Sequence, residues 1–239
     1  MNLLLLAPDD LVAPDRACIH DSRRLKHLHE VHRAACGETL IVGMTNAGIG
    51  RARLLTLEKD QAVFEILHLD DAPPPALPVH VLLALPRPRM LARSLENIAT
   101  MGVKRLTLLH TARVEKSYWQ SPELQPERIE AHLRLGLEQA RDTVLPTVDL
   151  QPRFKPFVED QLPAALAGQR ALLAHPGIGE SCPRGLPMDQ PVTLAIGPEG
   201  GFIPFEVEML QAMGFEGIHL GERILRVETA VVSLLSRLF

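Results

Sequence analysis

Residues 191–239, PVTLAIGPEGGFIPFEVEMLQAMGFEGIHLGERILRVETAVVSLLSRLF, confine the chain to few architectures because they hold two strand–loop–helix units in succession. Val192 to Ile196 is a short apolar, β-leaning run that stops at Gly197-Pro198-Glu199-Gly200-Gly201, so it reads as a buried strand entering a tight loop. Pro204 suits the first turn of a helix and Glu206 its positive N-terminal dipole, while Val207, Leu210 and Met213 recur on one face until Gly214 ends it. A second strand is expected over 217–220 and a second loop over 221–226. The last helix then places Val227, Ala230, Val231, Leu234, Leu235 and Leu238 at helical spacing, which predicts a broad buried stripe.

Both loops are expected at the carboxyl ends of adjacent strands, where open α/β sheets collect ligands. The first loop carries Glu199 and no Lys or Arg, which disfavours nucleotide phosphate; G-x-G-x-x-G is also absent, since its glycines fall at 197, 200 and 201. A ligand held by backbone groups and apolar contacts fits better. Taken alone, such glycines more often only make turns.

IGPEGGF at Ile196 to Phe202 followed by LGERILRVETA at Leu220 to Ala230 closely resembles the paired cofactor loops of the SPOUT RNA methyltransferases. The nearest family is RsmE, whose members methylate N3 of uridine in 16S ribosomal RNA. The resemblance implies an α/β fold with a trefoil-knotted parallel-sheet domain, an exception to the rule that chains do not thread loops. It also implies a small β-rich, PUA-like barrel domain before it and S-adenosylmethionine as cofactor. Carried onto this sequence, it places the cofactor against Leu173, Ala174 and His175 and against Ile196, Gly197, Pro198, Glu199, Gly200 and Gly201. It adds Leu220, Gly221, Ile224 and Leu225, with Arg226, Thr229 and Ala230 beside them. Arg226 is the candidate catalytic residue, its guanidinium set to stabilise charge on the base as N3 loses its proton; a structural arginine satisfying loop carbonyls is the alternative. Glu228 is the candidate partner that orients Arg226 or caps the last helix. The family is also dimeric, and the apolar last helix would serve either as a homodimer face or within one protomer.

The 239 residues allow two modest domains, with 46% apolar and 23% charged residues, as in ordinary soluble proteins. Cys18, Cys36 and Cys182 are odd in number and scattered, which argues against a disulfide framework and fits a reducing cytoplasm. Leu3 to Leu6 is too short to span a bilayer, so no membrane partner is expected. Residues 21–35 read as a helix with Asp21 or Ser22 as cap. Its His27, His29 and His32 do not make a metal site, because only His29 and His32 share a face and no acid or Cys completes the shell. Strands are expected at 39–44, 51–57 and 62–67, the first two joined by a hairpin across Asn46-Ala47-Gly48. Asp70-Asp71-Ala72-Pro73-Pro74-Pro75 is the best linker. The domains are therefore expected over 1–71, the PUA-like RNA-binding module, and 76–239, the methyltransferase module.

Beyond the linker, strands and helices alternate, which argues for a largely parallel sheet. Strands are expected at 79–85, 105–110, 145–150 and 170–174, and helices at 91–101, 126–141 and 157–166. The strand at 170–174 ends in His175-Pro176-Gly177, a third loop for the site. Between 79 and 116 seven basic residues face two acidic ones, a local net charge of +5 in a chain of net charge −4. Arg87, Arg89, Arg93, Arg113 and Lys116 are the candidate RNA contacts, with ribosomal RNA or the small ribosomal subunit as partner. Tyr118 and Trp119 are open to either base stacking or packing. Three departures from the RsmE pattern stand out. The N-terminal Arg-rich segment is missing, Thr100-Met101-Gly102 replaces Glu-Leu-Gly, and Ala140-Arg141-Asp142 stands where Gly-Arg is usual. Alternatives to the uridine-N3 reading are methylation of another RNA base, a non-catalytic RNA-binding relative and, from another class, a nicotinamide-dependent oxidoreductase.

Overall fold

A computed structural model describes residues 2–239. By contacts the chain divides into two compact units, Met1–Pro75 with Arg134–Leu145, and Ala76–Leu133 with Pro146–Phe239.

The first unit holds strands β1 (Leu4–Leu6), β2 (Leu11–Ala13) and β3 (Arg16–Ile19), then helix α1 (Ser22–Lys26) and strands β4 (Thr39–Met44), β5 (Ile49–Leu57) and β6 (Ala62–Asp71). They form one sheet in the order β1-β4-β5-β6-β3-β2. All its pairings are antiparallel except β1 with β4. Its core is built from Leu4, Leu6, Ile19, Leu28, Val42, Leu54 and Phe64. The helix expected over 21–35 is α for one turn only. Asp21 caps it by accepting from the Arg24 N–H at 2.8 Å, and a π-helical stretch, His27–His32, then ends where Arg33 turns left-handed. β6 runs to Asp71, so the first two residues of the expected linker are strand.

Arg134–Leu145 groups with this unit because several partners hold it. Arg23 forks onto Glu138 at 2.8 and 3.0 Å, the Asn46 N–H donates to Thr143 O at 2.8 Å, and the Asn46 side-chain oxygen accepts from the Leu145 N–H at 2.9 Å. Glu138 is buried, so the bidentate guanidinium offsets its desolvation and keeps the Arg23 pKa above its ordinary value. Arg141 takes a left-handed φ of 55° after helix α3 described below, a conformation glycine adopts more easily.

The second unit contains β7 (Val79–Ala84), α2 (Pro88–Thr100), β8 (Arg105–Leu109), the start of α3 (Pro126–Ala140), whose residues from Arg134 on group with the first unit, and β9 (Thr147–Gln151). There follow α4 (Phe154–Pro156), a π-helical turn, α5 (Leu162–Leu166), β10 (Arg170–Ala174), β11 (Glu180–Ser181), β12 (Val192–Ile196), α6 (Pro204–Ala212), β13 (Glu216–His219) and α7 (Val227–Leu238). The sheet order is β11-β13-β10-β12-β7-β8-β9, parallel throughout. This is an α/β fold with a parallel sheet, as expected. β7 and β12 are buried along their whole length, the mark of a parallel sheet covered on both faces. α7 packs against α2, burying Val231, Leu234, Leu235 and Leu238.

Gly179, at φ +68°, lies against Gly217 of β13, and any Cβ there would overlap the Gly217 backbone. Gly179→Ala is therefore expected to destabilise the protein by about 3 kcal/mol, from overpacking plus left-handed strain, read as a lowered urea midpoint. His80 on β7 is buried at 2.8 Å from Thr107 Oγ1, and burial, with Arg105 nearby, pushes its pKa down to about 4. Below its ordinary value of 6.5 the unfolded chain takes a proton that the folded one refuses. Stability from this residue is thus lost as pH falls from that value toward about 4, by roughly 2–3 kcal/mol. In His80→Gln this part of the acid sensitivity of the unfolding free energy is expected to vanish.

Candidate functional site

The carboxyl ends of β10, β12 and β13 meet in one pocket enclosing about 690 Å³, part of it open to solvent. β10 contributes Ala174 and His175, and the backbone N–H of His175 donates to Ile218 O of β13 at 3.0 Å, closing the two strand ends together. β12 contributes Ile196 and the turn Gly197, Pro198, Glu199 and Gly201, pinched by the Gly201 N–H donating to Pro198 O at 2.8 Å. Gly201 is left-handed at φ +73°. A Cβ at Gly197 would stand 3.1 Å from both the ring and the amide nitrogen of buried Phe202, so that side of the turn stays bare backbone. The loop after β13 contributes Leu220, Gly221, Ile224 and Leu225, and α7 adds Ala230. Gly221 stands at φ +108°, and its N–H donates to His219 Nδ1 at 3.1 Å.

Four of the expected cofactor residues lie off the lining. Leu173 is buried in the core, Gly200 lies beneath Arg113, and Arg226 and Thr229 are exposed at the start of α7. Arg226 and Glu228, the candidate catalytic pair, share that first stretch of α7, and among the described residues no ion pair joins them. The lining also includes Pro176 and Arg223, which lie within the expected loops, and Ile218, His219, Val227 and Leu234, which were not among the candidates. Val227, Ala230 and Leu234 share a face by helical spacing, a signal that was present in the sequence. Arg223 has no period to mark it, but it falls inside the LGERILRVETA stretch. Glu199 and Arg223 supply the charged side chains of the lining.

All five candidate RNA contacts, Arg87, Arg89, Arg93, Arg113 and Lys116, are exposed. Two of them touch the glycine turn. The Arg87 N–H donates to Glu199 Oε1 at 3.3 Å, and the Arg113 guanidinium donates to Gly200 O. Trp119 is a packing residue, its indole N–H donating to His110 Nδ1 at 2.8 Å with the rings edge to face. Tyr118 donates to Glu115 at 3.0 Å; partial burial first, and then that carboxylate, push its pKa up. Of the three histidines near α1, His29 is bonded to Glu58 O and His32 faces Glu38. Elsewhere in the first unit His68, Asp70 and Asp71 bring three ligand-type atoms within 4.8 Å of one another, on the largely exposed end of β6.

The family model for the RNA methyltransferase domain matches residues 73–239, well over half of the chain. The chain belongs to the RNA methyltransferase family. This methyltransferase is 29% identical to ribosomal RNA small subunit methyltransferase E of Treponema pallidum, over 96% of this chain and 87% of that one. It is 27% identical to the protein of the same name from Synechocystis, over 98% of this chain and 76% of the relative. Its fold is similar to the crystal structure of a ribosomal RNA small subunit methyltransferase E from Neisseria gonorrhoeae bound to S-adenosyl methionine. The TM-score is 0.77 at 22% identity, covering 98% of this chain and 95% of that one. Among the described residues, no helix of this methyltransferase is long and apolar enough to cross a membrane.

Proposed function

We propose that this chain is an S-adenosylmethionine-dependent ribosomal RNA methyltransferase of the RsmE type, transferring methyl to N3 of a uridine in the 16S RNA of the small subunit. One observation carries the reading: a pocket at three parallel strand ends, walled by glycine turns and apolar side chains, in a chain of the RNA methyltransferase family. The names of the Treponema and Synechocystis relatives support the substrate, and the bound molecule in the Neisseria structure supports the cofactor.

The lining fits that cofactor on chemical grounds. Ile196, Ile218, Leu225 and Leu234 offer apolar walls to an adenine ring, and Gly197, Gly201 and Gly221 bring backbone polar groups to the surface. Glu199 and Arg223 offer opposite charges to an amino-acid end that carries both an ammonium and a carboxylate. When bound, S-adenosylmethionine supplies a methyl group made electrophilic by its positively charged sulfur.

Uridine N3 carries a proton at neutral pH, so the protein must ease its loss and hold the nitrogen in place. Arg226, exposed and flanked by the lining residues Leu225 and Val227, is the proposed catalytic residue, its guanidinium neutralising charge on O2 and O4. Glu228 in the first turn of α7 complements the helix dipole. Arg87, Arg89, Arg93, Arg113 and Lys116 are the proposed phosphate contacts.

The strand order supports a trefoil knot. From β10 the chain reaches β11 at the sheet edge and returns to β12 on the other side of β10, and β13 then enters between β10 and β11. The first unit is proposed as a PUA-like RNA-binding module, on the strength of its six-stranded, mainly antiparallel sheet. The enzyme is proposed as a cytoplasmic homodimer; its three free cysteines suit a reducing compartment.

Labelled-methyl transfer to ribosomal RNA from cells lacking this protein is expected to mark N3 of a uridine in the small-subunit RNA; cofactor binding without transfer would sink the enzymatic reading. Arg226→Ala is expected to lose roughly 100-fold or more in turnover with cofactor affinity kept, and a parent-like rate would remove its catalytic role. Light scattering is expected to report twice the 26.4 kDa chain mass, and a clean 26.4 kDa species would remove the dimer.

A further inference from the structure

Glu206, in the first turn of α6, is buried to 3% exposure, although a charged side chain this close to a helix start is ordinarily solvated. One carboxylate oxygen accepts from the Ile203 N–H at 3.0 Å, the bond expected of a residue at this place in a helix. The other leaves the helix and accepts from the N–H of Ala112, on the turn after β8, at 2.6 Å. Capping alone needs neither that second bond nor the burial. The next residue, Arg113, lays its side chain on Gly200 and donates to the Gly200 carbonyl. The turn after β8 is thus fastened to both ends of the segment 200–206, by a part-buried charge-assisted bond at one end and a surface guanidinium at the other.

We propose that Glu206 is a positioning residue: by pinning Ala112 it sets Arg113 over the Gly197–Gly201 turn, and so fixes the wall of the pocket that receives the cofactor. The proposal rests on the methyltransferase reading of that pocket. Glu206 itself does not line the pocket and acts through the two turns it joins. Removing it would leave two backbone N–H groups without their acceptor and free the arginine side chain to leave Gly200.

The test uses the full chain and three variants, E206Q, R113A and the double variant. Glutamine keeps the shape of the side chain but offers one acceptor where two N–H donors converge. Calorimetry with S-adenosylmethionine and no RNA is expected to show E206Q binding roughly tenfold more weakly, with a far-ultraviolet spectrum like the parent's. The double variant is expected to lose less than the product of the two single losses, because Arg113 is already displaced once Glu206 is changed. A merely structural glutamate would give independent, multiplicative losses. Amide exchange supplies a readout that needs no ligand: the Ala112 and Ile203 N–H groups are expected to be protected in the parent and to exchange faster in E206Q. Parent-like affinity in a folded E206Q, multiplicative losses, or unchanged exchange at both amides would each overturn the proposal. Should the parent fail to bind S-adenosylmethionine, the reading of the pocket fails, and the exchange arm alone decides whether Glu206 holds the two turns together.

Discussion

The second unit depends on one close approach of backbone to backbone. β13 lies between β10 and β11, although β10 and β11 are consecutive in the chain and β13 comes much later. For β11 to pair on the far side of β13, the connection from β10 must travel past that strand, and Gly179 and Gly217 are where the two segments meet. Side chains at that point would push β11 outward and open the edge of the sheet. Glycine at both positions removes the obstacle, at the conformational cost glycine always carries in the unfolded chain.

The pocket follows from the same arrangement. Because β13 is seated against β10, the His175 N–H reaches Ile218 O, and the loop after β13 closes over the turn after β12. Three connections far apart in sequence therefore share one concave surface, and none could form it alone. Most of that surface is glycine backbone and aliphatic side chain, which suits a ligand recognised by shape and by main-chain hydrogen bonds. It suits polyphosphate poorly, since the turn after β12 contributes an acid and no base.

How much of this was legible follows from which residues carry a period. β4, β10 and β12 have the bounds expected of them, and the glycine punctuation marked the turns around the pocket. β1 to β3 went unread. Leu4 to Leu6 is a uniform apolar run with no alternation, and Leu11–Ala13 is too short and too exposed to show any. β11 is two exposed residues whose pairing is decided by β13 alone. The helix after Asp21 was placed correctly at its cap, but the slide from α into π winding past Lys26 leaves no mark in composition. In the pocket, the glycines, the loop that carries Arg223 and the apolar face of α7 were readable, whereas the reach of Glu206 from α6 to Ala112 depends on where the turn after β8 lies. Its place in the first turn marks Glu206 as complementing the helix dipole, which accounts for only one of its two bonds.

The basic stretch between residues 79 and 116 shows why a charge count in sequence needs the sheet before it means anything. In a parallel sheet, residues that precede a strand and residues that follow one lie at opposite edges. Lys104 and Arg105 stand at the amino end of β8, whereas Arg87 follows β7 and Arg113 follows β8 at the carboxyl edge, beside the pocket. Five strand residues separate the edges by roughly 16 Å, about two Debye lengths at physiological salt, so Lys104 and Arg105 add little to the potential at the pocket mouth. What remains there is smaller and more local than the count implied, and part of it is already engaged. Arg113 is bonded to the Gly200 carbonyl, and the Arg87 backbone to Glu199. A polyanion approaching this edge would therefore meet in Arg113 a cation that is also bonded to the pocket wall, so its hold on phosphate and its hold on the glycine turn cannot be independent.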